Sequence, residues 1–145
     1  MPEVLERSFA TLAINSLVNH PEIRPFVGGD GKLPLDMTDS IDNDRNVFLM
    51  GEHGGFIGVW SGPGVYEVHT LIRPEGRGRW AINAGREAIR TMQREHGATH
   101  LWTRVSPELH NVRNFTLLAG FKPCGQEVFE DGGALKIFNL YEVKL

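Results

Sequence analysis

The chain has 145 residues, of which 41% are hydrophobic and 23% charged, so we expect one globular domain over residues 1–145. Its single cysteine, Cys124, excludes a disulfide framework and a zinc site built on cysteines. The net charge of −3 argues against a basic nucleic-acid surface spread over the whole protein. No apolar run approaches the ~20 residues that cross a bilayer, and the N-terminus has no secretory pattern, so we expect a cytoplasmic, non-membrane protein.

The N-terminal third combines one helical pattern with one irregular stretch. Apolar residues at helical spacing predict a helix from Pro2 to Asn19, which ends before Pro21. Residues 21–44 are rich in Pro, Gly and Asp, and they predict a loop with one short helix near Met37–Ile41. Asp36, Asp39, Asp42 and Asp44 make this loop acidic.

Three strand-like runs follow the loop, separated by short turns that contain glycine. They cover Asn46–Met50, Gly55–Trp60 and Val65–Ile72. Consecutive strands joined by short turns predict an antiparallel meander. Because side chains alternate along a strand, Glu67, His69 and Leu71 share one face of the third run.

The second half of the chain alternates helices with strands. The predicted elements are a helix over Arg77–His96, a strand over Ala98–Val105, a helix from a Ser106 cap to Ala119, and strands over Phe121–Phe129 and Ala134–Val143. A strand–helix–strand unit pairs its strands in parallel through a right-handed crossover. Together with the meander, it predicts an α+β fold with helices packed on a mixed sheet. Trp60 and Trp102 lie within strands, and we expect both in the core.

Two stretches carry motifs that point to a known family. After the strand that ends at Ile72 come Arg73-Pro74-Glu75-Gly76-Arg77-Gly78-Arg79 and a helix of small residues, and the second stretch ends in Ala119-Gly120-Phe121. These motifs resemble the pyrophosphate loop and the end of the fourth helix in the GNAT family of acyl-CoA-dependent N-acetyltransferases. A strand with His69, followed by Pro-Glu-x-Arg-Gly, is most similar to small bacteriophage members of that family.

The glycine-arginine loop has a physical reason to bind phosphates. A helix N-terminus presents free backbone N–H groups and the positive end of the helix dipole, and glycines let phosphates approach the backbone. The family pattern fits in two frames, one on Arg73, Gly76 and Gly78, and one that starts at Arg77. We favour the second frame, with Arg77 and its two following residues as the main phosphate contacts. The alternative is an ordinary glycine-rich turn with solvated arginines.

The resemblance implies acetyl-CoA as co-substrate and no metal. The residues that it implies for binding are Leu71, Ile72, Arg73, Gly76, Arg77, Gly78, Arg79, Trp80 and, at the start of the fourth helix, Asn111. For Trp80, stacking on adenine and packing on the sheet are both open.

Acetyl transfer to an amine requires a deprotonated amine, a polarised thioester carbonyl and a protonated leaving group. Glu67 and His69 on one face would form a base and its orienting partner, because an ordinary histidine titrates near neutral pH. The alternative is that both line a solvated groove. The family's usual tyrosine acid falls at Thr116 here, and Cys124, His110, Ser106 or water could replace it.

The implied function is direct transfer of an acetyl group from acetyl-CoA to an amine, in a cleft between the Val65–Ile72 and Ala98–Val105 strands. The acceptor is a small amine or a protein, and the acidic loop would favour a cation if it borders the acceptor groove. Two alternatives remain. One is a non-catalytic, binding or virion-associated protein with the same fold, and the other is a nucleic-acid module that uses the basic stripe from Arg73 to Arg94. A final strand over Leu140–Leu145 could pair with a second subunit in a homodimer.

Overall fold

The computed structural model of the protein describes residues 5–28 and 32–145. The α-helices are α1 (Thr11–Val18), α2 (Thr38–Asp42), α3 (Arg79–His96) and α4 (His110–Ala119). The strands are β1 (Glu6–Arg7), β2 (Val47–Gly51), β3 (Gly54–Gly62), β4 (Val65–Ile72), β5 (His100–Val105), β6 (Lys122–Asp131) and β7 (Ala134–Lys144). Single 3₁₀ turns lie at Arg24–Phe26 and Pro74–Gly76.

The strands of the described ranges form one sheet in the order β1-β2-β3-β4-β5-β7-β6. β4 and β5, which are joined through α3, pair in parallel, and each of the other neighbouring pairs is antiparallel. This arrangement confirms the predicted α+β fold with a mixed sheet. In the part of the chain that the structure describes, no helix has the length and apolar character to cross a membrane.

The predicted N-terminal helix is wrong in its first half. Glu6 and Arg7 form β1, which pairs with Met50 and Leu49 of β2, and the helix begins only at Thr11. The first residues of the prediction, 2–4, lie outside the described residues. The reason is tertiary: in the extended segment next to β1, Leu5 is buried in the core and its N–H donates to the Glu87 carboxylate.

Two predictions about the C-terminal half are also wrong. Ser106 and Pro107 do not start a helix, because they belong to a turn in which the Leu109 N–H donates to the Ser106 carbonyl, and α4 begins at His110. The final strand over Leu140–Leu145 does not offer a free edge, because β7 lies between β5 and β6. The outer strand of this side of the sheet is β6.

Both faces of the sheet are covered, but by different helices. On one face, α3 and α4 pack on residues such as Leu49, Tyr66 and Leu101, and we call this side the helix face because the longest helix, α3, lies there. On the opposite face, α1 and α2 pack on residues such as Phe48 and Leu71. The small residues of α3 allow close packing: the buried residues of this stripe are Ala81, Ala84, Gly85, Ala88 and Met92.

Candidate functional site

A V-shaped cleft opens between β4 and β5. The two strands pair over Val65–Glu67 and His100–Trp102, and then they separate. Beyond Glu67, β4 continues along β3 to Ile72, while β5 continues along β7 to Val105. Within residues 5–28 and 32–145, one edge of the C-terminal half of β4 therefore has no strand beside it.

A side chain bridges the apex of this cleft. The Thr103 hydroxyl donates to the Val68 carbonyl at 2.8 Å, so the Val68 backbone groups point toward β5. Every second residue of a strand directs its N–H and C=O to the same side, so the backbone groups of Thr70 also point into the cleft. Thr70 is exposed although its neighbour Leu71 is buried. The open edge of β4 can thus pair with an extended ligand, as a further strand would.

The loop after β4 (residues 73–79) is held by its own arginines. The Arg73 guanidinium donates to the Glu52 carbonyl at 2.5 Å. The Arg77 guanidinium donates to the carbonyls of Glu22 at 2.9 Å and Ile72 at 3.3 Å. These bonds fix the position of the loop. Because carbonyl oxygens carry no net charge, they leave the positive charges of Arg73 and Arg77 unneutralised.

The N-terminus of α3 is accessible to an anion. The helix begins at Arg79, after Gly78 with a φ of 101°, and no side chain caps its first turn. A Cβ atom at Gly78 would meet nothing within 4 Å, so space is open beside the backbone. Arg79 is exposed next to these N–H groups. This combination is typical of a phosphate site at a helix N-terminus.

The other predicted loop residues pack inside the protein. Gly76 is buried, and any side chain there would overlap His53. The His53 ring packs edge to face on Trp80 at 5.0 Å, and Trp80 also packs against the core of the helix face while it stays partly exposed. Leu71 and Ile72 are buried at 1% and 6% exposure, and they can offer a ligand only their backbone.

A charged cluster of Glu67, His69 and Arg104 lies at the apex of the cleft, on the side of the sheet that is opposite to the helix face. Arg104 donates to both Glu67 carboxylate oxygens, from Nε at 2.7 Å and from Nη2 at 3.1 Å. His69 Nε2 lies 3.5 Å from Glu67 Oε1. The structure thus brings together the two predicted residues and adds an arginine that the sequence analysis missed.

Arg104 is fixed from a second direction. Its guanidinium stacks on the Phe129 ring of β6 at 3.9 Å and lies 5.7 Å from the Trp102 ring. The contacts of this one side chain therefore join β4, β5 and β6. A planar guanidinium suits this arrangement because it can form a two-pronged ion pair and stack at the same time.

The partners of Glu67 decide its protonation. Burial alone would raise the pKa of Glu67, but hydrogen bonds from His69 and Arg104, together with their positive charges, lower the pKa to about 2. Glu67 is therefore a carboxylate at neutral pH and cannot donate a proton. His69, with 36% of its side chain exposed, is the member of the cluster that can exchange protons with a ligand.

The other candidates from the sequence form no hydrogen bond with Glu67, His69 or Arg104 among the described residues. Thr116 is buried and donates to the Val112 carbonyl at 2.8 Å. Asn111 and His110 are exposed in the first turn of α4. Cys124 lies on β6, where burial and the nearby Glu142 carboxylate raise its pKa. Within the described residues, no three His, Cys, Asp or Glu side chains are arranged to hold a metal.

No protein-family model and no curated protein matches the chain by sequence. Solved structures do match it. A GNAT-family acetyltransferase from Bacillus anthracis has 12% identity and a TM-score of 0.71 over 97% of this chain and 93% of its own. A ribosomal-protein-S5-alanine acetyltransferase from Vibrio fischeri has 12% identity and a TM-score of 0.71 over 99% and 94%. A spermidine N-acetyltransferase from Vibrio cholerae, solved with CoA and spermine, has 13% identity and a TM-score of 0.70 over 99% and 96%. The chain therefore has the fold of the GNAT acetyltransferases.

Proposed function

We propose that this protein is an N-acetyltransferase that transfers the acetyl group of acetyl-CoA directly to an amine. The observation that carries the proposal is the V-shaped cleft, which has a cationic loop and an uncapped helix N-terminus at one end and a carboxylate-held imidazole at its apex. The likeness to acetyltransferases in fold supports the proposal. It gives the reaction class but not the acceptor.

The residues around the cleft fit the parts of acetyl-CoA. The first N–H groups of α3, with Arg79 beside them, would bind the pyrophosphate, and Arg73 and Arg77 would hold the loop and add positive charge. The pantetheine arm would lie along the open edge of β4 and bond to the backbone of Thr70. The acetyl group would then reach the apex of the cleft.

The chemistry at the apex would need one proton acceptor. His69 takes a proton from the attacking nitrogen while the N–C bond forms and the C–S bond breaks. CoA leaves as a thiolate and takes a proton from water, because Thr116 is committed to the Val112 carbonyl. Glu67 holds the imidazole and stabilises its protonated form, and Arg104 is a positioning residue that acts through Glu67. Positioning the two reactants supplies much of the acceleration in such a mechanism.

Two measurements test the proposal. Calorimetry with acetyl-CoA measures binding, and the release of free CoA thiol in the presence of a panel of primary amines measures transfer. We expect binding in the micromolar range and CoA release that His69→Gln reduces at least tenfold without weakening the binding. The absence of binding at millimolar acetyl-CoA would contradict the proposal.

A second candidate is a non-catalytic protein that keeps the fold and binds acetyl-CoA or another partner. The buried, bonded Thr116 favours it, since the position of the family's acid offers no free hydroxyl. Binding of acetyl-CoA with no CoA release for any amine would favour this candidate over the enzyme. The single domain, the homodimer, the cytoplasmic location and the likeness to bacteriophage members stay predictions from the sequence.

A further inference from the structure

A second concave surface lies beside the Glu67 cluster, on the same face of the sheet. We call it the Trp102 groove. Its volume is about 250 Å³, and its main lining residues are His100, Trp102, Cys124, Glu127, Leu140 and Glu142. These residues come from β5, β6 and β7, so the groove extends from β5 toward the edge of the sheet. Asp36, Asp39, Asp42 and Asp44 of the acidic loop do not line it.

The groove begins where the Glu67 cluster ends. Trp102 is the register partner of Glu67 in the parallel pair, so both side chains lie on the same face of the sheet. The Arg104 guanidinium lies 5.7 Å from the Trp102 ring. A molecule in the groove that extends one end toward His69 passes this guanidinium, whose charge the Glu67 carboxylate neutralises. Trp102 was predicted in the core, but the structure leaves it partly exposed as the wall of this groove.

The lining combines apolar surface with negative charge. Trp102 and Leu140 provide the apolar part, and Glu127 and Glu142 provide two carboxylates. Glu142 is held by His100 at 2.9 Å and lies 4.0 Å from the Lys144 ammonium. Glu127 is exposed, and its carboxylate has no hydrogen bond or ion pair within the described ranges. Among the residues that the structure describes, no lysine or arginine lines the groove.

Aromatic rings beside carboxylates recognise organic cations, because the ring face and the carboxylate both attract positive charge. The volume limits the size of the ligand, since pockets for drug-sized molecules measure roughly 300–1,000 Å³. The groove is below this range. It suits a slender molecule and not an oligosaccharide or a folded protein.

We propose that the Trp102 groove binds the body of the acceptor, and that the acceptor is a small amine with a second cationic group, which Glu127 contacts. This inference rests on the proposed acetyl transfer. The distance between the groups favours a chain of several carbons. Neighbouring strands lie about 4.8 Å apart, and three such intervals separate β4 from β6. One amino group would then meet the acetyl group near His69 while the other lies at Glu127.

The test compares α,ω-diaminoalkanes of six to twelve carbons with the n-alkylamines of the same length, by release of CoA thiol. We expect a KM at least tenfold lower for the best diamine than for its monoamine. Glu127→Gln should raise the KM of the diamine about tenfold and leave the KM values of the monoamine and acetyl-CoA unchanged. Glu130→Gln is the matched control, because this substitution removes the same charge and Glu130 is exposed on the other face of β6. It should change none of these constants.

A second readout does not depend on turnover. Cys124 is the single cysteine of the chain, so alkylation by iodoacetamide followed by mass spectrometry reports on this groove alone. We expect the best diamine to slow alkylation of the wild type at least threefold, and of Glu127→Gln much less. Equal KM values for diamines and monoamines, without protection of Cys124, would overturn the groove and leave the proposed function standing. Protection of Cys124 without CoA release or acetyl-CoA binding would overturn the acetyl transfer and keep the groove as a cation site.

Discussion

The loop after β4 and the apex of the cleft both depend on arginine, with opposite electrostatic results. In the loop, Arg73 and Arg77 bond to backbone carbonyls, which are neutral, so their charges remain to attract an anion. At the apex, Arg104 bonds to the Glu67 carboxylate, and the pair is neutral as a unit. The partner of the guanidinium therefore decides whether it provides a field or a rigid support.

This difference assigns different tasks to the two regions. A cationic loop attracts a polyphosphate at long range, and salt weakens this attraction. The ion pair at the apex instead fixes the Glu67 carboxylate in place, and this carboxylate holds the His69 imidazole at 3.5 Å. The following changes remove one contribution at a time.

The largest effect is expected at His69. His69→Gln keeps a polar side chain near Glu67 but removes the group that can accept a proton. We expect kcat to fall by about 10² to 10³ at pH 7, a range typical of losing a general base, with acetyl-CoA binding unchanged. Steady-state CoA release and calorimetry measure the two quantities. A loss that appears in acetyl-CoA binding and not in kcat would contradict the role of His69.

Glu67→Gln should reduce stability in a manner that depends on pH. The pKa of Glu67 is lowered from 4.5 to about 2 in the folded chain, so its ionised form stabilises the fold above pH 4.5. That contribution is on the order of 3 kcal/mol, and it is lost as the pH falls from 4.5 toward 2. Urea unfolding should therefore show a large deficit for the variant at pH 7 and a much smaller one near pH 2.5. A deficit that is equal at both pH values would show that the loss is one of packing.

Replacing Arg104 should have an intermediate effect. Arg104→Gln removes the two-pronged contact that fixes Glu67, and Glu67 in turn holds His69. We expect kcat in the CoA-release assay to fall about tenfold, with the binding of acetyl-CoA unchanged. Arg104→Lys restores the charge without the two-pronged geometry, and it should recover only part of the rate. An unchanged kcat in Arg104→Gln would contradict the positioning role of Arg104.

The smallest effect is expected in the loop. Arg79→Ala removes one exposed charge beside the start of α3, and we expect acetyl-CoA to bind about fivefold more weakly at low salt. The difference should shrink as salt is raised, because exposed charges are screened. Arg90→Ala is the matched control, since Arg90 is exposed on the same helix about three turns further along. Equal affinities for the two variants would place the phosphates elsewhere.

The elements that the sequence predicted well are those with local causes. Both ends of β4 were predicted correctly, because alternation stops at Ile72 and Pro74 cannot continue a central strand. The C-terminal ends of α3 and α4 follow from Gly97 and Gly120, whose φ values are 66° and 118°. The two-residue strand β1 was missed because its existence depends on pairing with β2 and not on its own pattern.

The site shows the same limit. Glu67 and His69 could be paired from the alternation of one strand, but Arg104 is 37 residues away from Glu67 in sequence. Its contact depends on the register of β4 against β5, which no local pattern gives. The signal that could have found it is its placement two residues after Trp102, on the same face of a strand already predicted to run parallel to β4. The groove along β5, β6 and β7 was missed for the same reason.

The irregularity of β6 has a consequence for solution behaviour. β6 is an outer strand that is exposed over most of its length, and such strands can recruit other chains into aggregates. Its second residue, Pro123, lacks an N–H, and its register against β7 shifts between Pro123 and Gly125, which forms a bulge that twists the edge. Glu127 and Glu130 add charge along the same strand. The feature that shapes one wall of the groove thus also blocks edge-to-edge growth, and straightening it would make the protein less soluble.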